Sequence, residues 1–442
     1  MLEFLSVESC EELTCVWEGG AEIANLAHLE RMVISNCPLL ICLARKEQGF
    51  LPFNLKDLHL SNCGELESLP NVLMMNMDGS NNSILSTLEN LTMNHCSSLK
   101  SFLEGKLPTT IKSLRISNCE NLESLLDVDN GCLKDLKLCA LPSLTSFQGG
   151  QLPDSLEYFY VEDCKGLESF PERMLQRCTK LERMVIIHCD KLKRLPIFDG
   201  SNNLVRLCIE NCEVLEALPE LGSSIPNLVS LTIIGCKSLK TLSNTMYQLQ
   251  SLKSLFIQNC PGIEWITDGG LPPNLTSLAL HCQNLMSLPN NMVKLGSLQA
   301  LSILDGHFLV GLGLHSLNSL RQLIISQTWP PDILLPSSLT SLCITDVENL
   351  ESIPKGLLHS LNSLQELHIS NCPNLWSLPR EGWPPLLGRL SISNCQHLKR
   401  QCFEAKGDYL NLTRSIPYIL IDWDQVIPYL KEKLKLTSSL CF

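Results

Sequence analysis

One phrase recurs along the chain and restricts its fold more than any other feature. It reads LKDLHLSNCGELESLP from Leu55, LERMVIIHCDKLKRLP from Leu181, LVRLCIENCEVLEALP from Leu204 and LQELHISNCPNLWSLP from Leu364. Aligned, the copies give L-x-x-L-x-I-x-x-C-x-x-L-x-x-L. Clean copies start at Leu29, Leu55, Leu88, Ile111, Leu156, Leu181, Leu204, Leu228, Leu252, Leu364 and Leu387; weaker ones start at Leu2, Leu133, Leu275, Leu298, Leu320 and Leu339. Successive starts are mostly 22 to 25 residues apart, which makes about seventeen repeats. A period of this size means stacked supersecondary units, none of which buries its apolar face alone. A 442-residue chain of this kind is one elongated array, not the two to four compact domains its length would otherwise suggest.

The pattern is that of a leucine-rich repeat. In RLCIE the alternation has period two, so Leu207 and Ile209 point inward while Arg206, Cys208 and Glu210 point outward. After Cys212 the chain turns, Leu215 and Leu218 re-enter the core, and Pro219 ends sheet pairing. The return segment has helical apolar spacing in places, as at Leu357, Leu358 and Leu361. Short helices or 3-10 turns are expected there. Helices are wider than strands, so the expected fold is an α/β solenoid. It is a horseshoe with a concave parallel β-sheet and a convex side of loops, 3-10 turns and short helices.

One slot holds cysteine in repeat after repeat: Cys37, Cys63, Cys96, Cys119, Cys164, Cys189, Cys212, Cys236, Cys260, Cys372 and Cys395, with Cys10 in a weak copy. In the repeat from Leu275 the thiol, Cys282, arrives one residue early. The slot lies where the chain leaves the sheet, and needs a small, buried side chain with a weak donor, which a reduced thiol supplies. Asparagine, a turn residue, precedes it in many copies, as at Asn211 and Asn371. No C-x-x-C occurs, and one thiol per repeat is a poor zinc arrangement. Stacked parallel side chains also hold their Cβ atoms about 4.8 Å apart, wider than the usual disulfide spacing of about 3.8 Å. These cysteines read as structural rungs, with no metal and no cofactor.

Three places break the pattern. An insertion at 71–87 carries NVLMMNMDGSNNS, read as a loop whose methionines could offer a soft surface. Across 298–350 the slot holds Gly306, Thr328 and Val347, the spacing falls to 19 residues, and TWPPD reads as a kink. The repeat pattern then fails after Cys395, so residues 1–402 are expected to form the solenoid and 403–442 a cap and tail.

Charge and motifs exclude several classes. A net charge of -12 argues against general affinity for nucleic acid or anionic lipid. The opening MLEFLSVESCEELTCVWEGG lacks the basic region of a signal peptide, and no apolar run reaches eighteen residues. A cytoplasmic location and reduced thiols are therefore expected. No phosphate loop, dinucleotide fingerprint, H-E-x-x-H or G-x-S-x-G is present, and no catalytic residue is assigned. What remains is the outward strand face. Its candidate partner-binding residues are Tyr158, Tyr160, Glu162, Arg183, Arg206, Glu210 and Phe256, because tyrosine and arginine are favoured at protein interfaces.

LRISNCENLESL, LHISNCPNLWSLPREGWPPLLGRLSISNCQHLKRQC and GDYLNLTRSIPYILID closely resemble the leucine-rich-repeat region of plant intracellular immune receptors, of the coiled-coil, nucleotide-binding, leucine-rich-repeat class. The resemblance covers nearly the whole chain. It implies a non-catalytic protein-recognition module whose partner is a pathogen effector, a guarded host protein or the nucleotide-binding domain of a receptor. These 442 residues contain no phosphate loop, so ADP/ATP switching does not carry over. Two other readings of the repeats stay open: the recognition domain of a ubiquitin-ligase substrate receptor, and a truncated decoy or regulator.

Overall fold

The computed structural model describes residues 2–17, 26–44, 52, 54–67, 69, 87–100, 107–125, 131–147, 150–266, 269–289, 291–354, 356–379, 382–398 and 416–422. The insertion at 71–86 and most of 403–442 lie outside the described residues. The chain divides into two compact units, Met1–Leu252 with Cys260–Ile263, and Lys253–Asn259 with Glu264–Phe442.

The first unit is built on β1 (Phe4–Glu8), β3 (Arg31–Ser35), β5 (Asp57–Ser61), β6 (Asn90–Asn94), β7 (Ser113–Ser117), β9 (Asp135–Cys139), β11 (Tyr158–Glu162), β12 (Arg183–Ile187), β13 (Arg206–Glu210) and β14 (Ser230–Ile234). Each pairs with the next in parallel and in unshifted register, as Arg183 opposite Arg206 and Leu207 opposite Leu231. A second, much shorter parallel ladder follows the turns. It pairs β2 (Cys15–Trp17) with β4 (Cys42–Ala44), and β8 (Ser124–Leu125) with β10 (Ser146–Phe147). Single bridges through Ser169, Arg194, Ala217 and Thr241 continue the same kind of link.

The second unit repeats the plan with β15 (Ser254–Gln258), β16 (Ser277–His281), β17 (Ala300–Ile303), β18 (Gln322–Ser326), β19 (Ser341–Thr345), β20 (Glu366–Ser370), β21 (Arg389–Ser393) and β22 (Tyr418–Ile421), all parallel. Return segments form 3-10 turns at Met292–Lys294, Gly306–Leu309, Leu314–Ser316 and Leu358–Ser360, as one does at Met246–Gln248 in the first unit. A repeat this short leaves room for about one turn of helix, which favours the tighter form. No helix among the described residues is long and apolar enough to cross a membrane.

The strand alternation follows the sequence period: Leu207 and Ile209 are buried, whereas Arg206 is exposed and Cys208 and Glu210 are half-buried. The cysteines named as rungs, from Cys37 to Cys395, are each at most 2 % exposed; Cys10 is half-buried. Most donate a weak S–H bond to the carbonyl two residues back, as Cys37 to Ser35 at 3.4 Å and Cys372 to Ser370 at 3.3 Å. That carbonyl is exposed by the residue between, which turns into the left-handed region: φ is 54° at Asn36, 52° at Asn211 and 53° at Asn371. Asparagine tolerates this conformation better than other side chains. Its backbone N–H then reaches the strand end of the following repeat, as Asn211 to Ile234 O at 2.7 Å. Where the side chains align they also join, Asn394 to Asn371 at 2.9 Å and Asn371 to Asp346 at 2.8 Å.

The irregular repeats are stitched differently. The repeat from Leu275 passes from His281 to a buried Cys282 with no left-handed residue between, which is why its thiol comes early. Around the TWPPD kink, Asn349 bonds both backbone groups of Trp329, accepting from its N–H at 2.7 Å and donating to its carbonyl at 3.0 Å. Pro330 and Pro331 offer no N–H there, so a side chain replaces the missing ladder bonds.

Candidate protein-binding face

Strand parity leaves three rows of side chains on the open face of each sheet. In the first unit the row at the strand starts runs Asp135, Tyr158, Arg183 and Arg206. The middle row runs Arg115, Lys137, Tyr160, Val185 and Cys208, and the row at the strand ends runs Cys139, Glu162, Ile187 and Glu210. The structure therefore brings Tyr158, Tyr160, Glu162, Arg183, Arg206 and Glu210 onto three consecutive strands, β11 to β13. Phe256 belongs to the second unit. There its ring meets the edge of His281 at 6.1 Å between centroids, and His281 Nε2 lies 2.7 Å from Ser302 Oγ. Burial holds the His281 pKa below the ordinary histidine value.

The two tyrosines are held rigidly. Their rings lie 6.0 Å apart and tilted by 46°, and the Tyr160 hydroxyl donates to Glu162 Oε2 at 2.8 Å. The Lys137 ammonium sits 4.4 Å above the Tyr160 ring, within cation–π range. Burial, then the bond to Glu162, pushes the Tyr160 hydroxyl pKa up; burial also raises that of Tyr158, against the nearby Arg183 charge. Both remain neutral phenols near pH 7. Beneath them, Phe159 is fully buried, with Phe147 at 6.1 Å and Phe170 at 6.0 Å between ring centroids. Phe159 lies between the tyrosines in sequence, so this aromatic cluster anchors the strand that presents them. The cluster was not read from the sequence, although its signal is there: Phe147, Phe159 and Phe170 each stand where other repeats have leucine.

The thiols of this face are not poised for chemistry. Burial, then the bond Cys208 donates to Glu210 Oε1 at 3.1 Å, pushes the Cys208 thiol up to about 12. Burial raises Cys139 to about 11, against the lowering effect of Lys137. A nucleophilic cysteine needs the opposite shift. Among the described residues, no group of three or more His, Cys, Asp or Glu side chains is arranged to hold a metal ion. What this face offers is rigid aromatic area beside charged side chains, a composition suited to another protein's surface.

No protein-family model matches the chain. Over 386 residues, 84% of this chain, it is 30% identical to a disease resistance protein of Arabidopsis thaliana, of which it spans 23%. It is 24% identical over 229 residues to the disease resistance protein RPS6 of the same plant, covering 48% of this chain and 19% of that protein. The chain thus spans about a quarter or less of the curated relatives it matches. Among solved structures, a leucine-rich-repeat protein of Leptospira interrogans aligns over 97% of this chain and 92% of its own, with a TM-score of 0.52 at 18% identity. That likeness concerns the fold, while the plant relatives share the sequence. The chain is a leucine-rich-repeat solenoid, similar in sequence to one stretch of the plant disease resistance proteins.

Proposed function

We propose that this chain is a non-catalytic recognition module of plant innate immunity, acting in the cytoplasm. It binds a pathogen effector or a guarded host protein on the open face of its sheet, the side expected from the sequence to be concave. In a full-length receptor the same region would also restrain the nucleotide-binding switch. The observation that carries this reading is the register of β11 to β13, which sets Tyr158, Tyr160, Arg183 and Arg206 side by side on a face that the core does not use. The names of the plant relatives support the immune setting.

The test is affinity capture from plant tissue, with and without pathogen challenge, using the intact chain and single alanine variants of those four residues. Each variant should fold within about 0.5 kcal/mol of the parent, as exposed positions usually do. At least one should lose about 2 kcal/mol or more of binding. Unchanged capture by all four would move recognition away from this patch. Loss of folding in all four would mean that these side chains serve the core instead.

A further inference from the structure

Four cationic side chains stand on the open face between β7 and β13: Arg115, Lys137, Arg183 and Arg206. Several other cations of this unit are matched. Arg31 meets Asp57 at 3.3 Å, Lys56 meets Glu30 at 2.8 Å, Lys112 meets Glu89 at 2.9 Å and Lys134 meets Glu157 at 2.8 Å. Among the described residues, no carboxylate lies within ion-pair distance of Arg183 or Arg206. These two face each other in register on neighbouring strands, an arrangement that folding by itself disfavours. The acids of β11 to β13 on this face are engaged elsewhere, Glu162 by the Tyr160 hydroxyl and Glu210 by the Cys208 thiol. They sit at the strand ends, and the half-buried Val185 and Tyr160 lie in the row between. From strand start to strand end, β11 to β13 thus run from basic through apolar to acidic.

Resting on the recognition role above, we propose that Arg183 and Arg206 dock an acidic helix of the partner protein, each guanidinium taking one carboxylate. The spacing favours a helix. Neighbouring strands are about 4.8 Å apart, and side chains at i and i+4 on a helix are about 5–6 Å apart at Cβ. An extended segment crossing the strands would present same-face side chains roughly 6.6 Å apart, a poorer match. The guanidinium fork takes a carboxylate through two parallel bonds. An apolar side chain at i+3 would then fall on Val185 and Cys208, the middle row of the same two strands. The chain as a whole carries -12, so an acidic partner is held by this local pair and not by the field of the molecule.

The probe is a capped peptide of three Ala-Glu-Ala-Ala-Leu-Glu-Ala repeats, titrated against the full chain by fluorescence anisotropy. Its controls are the peptide with every Glu replaced by Lys, a version with proline at the centre of each repeat, and inorganic pyrophosphate. The glutamate helix should bind saturably and the lysine helix should not. Arg183→Gln and Arg206→Gln should each weaken binding about tenfold, the loss of one charge-assisted contact, and Arg206→Lys should recover part of it. The proposal is overturned if the glutamate helix fails to bind, if it binds the double glutamine variant undiminished, or if the proline version binds equally well. Pyrophosphate binding that needs both arginines, without helix binding, assigns them to a phosphate ligand and also overturns it. If the helix fails while capture from plant tissue still depends on Tyr158, the open face keeps its recognition role and only the acidic helix is lost. Helix binding through both arginines supports the proposal even where the captured partner ignores Tyr158 and Tyr160, an outcome that removes only the broader reading.

Discussion

At the scale of single residues, the cysteine slot shows how a reactive side chain becomes a structural one. The rung thiols from Cys37 to Cys395 are shielded from water. Burial raises the pKa of several of them, whereas a bond from the neighbouring rung thiol lowers that of Cys119, Cys212 and Cys395. Burial pushes the Cys63 thiol up to about 11 and that of Cys164 up to about 12. The thiolate is the reactive form, so these groups are inert near neutral pH on two counts, access and protonation. Thiol titration without reductant at pH 8 should therefore find few reactive groups in the folded chain and nearly all 22 after denaturation. A denatured count many thiols short, restored by reduction, would show that the rungs are bridged.

At the scale of the repeat, the slot can be filled only where the following turn leaves room. Gly306 takes the cysteine position in the repeat from Leu298, yet a Cβ there would lie 2.1 Å from Thr328 O and 2.9 Å from both Ile325 Cγ2 and Pro330 Cδ. The kink at TWPPD has brought backbone into the space that a rung side chain occupies elsewhere. Restoring the repeat consensus should then do harm: Gly306→Cys is expected to destabilise by about 1–3 kcal/mol, since backbone must move. Val347→Cys places the same thiol in the same slot of the next repeat but one, where the side chain is fully buried without such a clash. It should cost about 1 kcal/mol from lost volume. Urea midpoints of the two variants decide the matter, and a Gly306→Cys chain as stable as the parent would show that the kink yields freely.

At the scale of the whole molecule, a parallel stack must end somewhere without leaving an apolar edge. In the second unit β22 pairs alongside β21, with Ile419 opposite Leu390 and Ile421 opposite Ile392. Leu390 and Ile392 are 1 % and 2 % exposed with that strand in place. We expect that deleting 403–442 uncovers them, together with the unpaired N–H and C=O groups of β21, and that the truncated chain aggregates or loses folded yield. Size-exclusion chromatography of the truncated chain checks this. A monomer as stable as the parent would mean that the segment closes nothing.

What the sequence determined alone is what depends on counting. The side of the sheet on which Leu207 or Arg206 lies follows from strand parity, and the stacking of one repeat on the next follows from the period, because each repeat meets only its neighbours. Burial of Cys212 was legible for the same reason, and the asparagine before it announced a turn, though not its left-handed backbone. What only the tertiary structure decided depends on the exact alignment of side chains from different repeats. Lys137 over Tyr160, Phe147 against Phe159, Asn349 on the Trp329 backbone and the unmatched pairing of Arg183 with Arg206 all join residues of different repeats, 12 or more positions apart. A repeat pattern states which residues share a slot, but rotamers and local detours choose which of them touch, and those choices are made only when the neighbouring repeats pack.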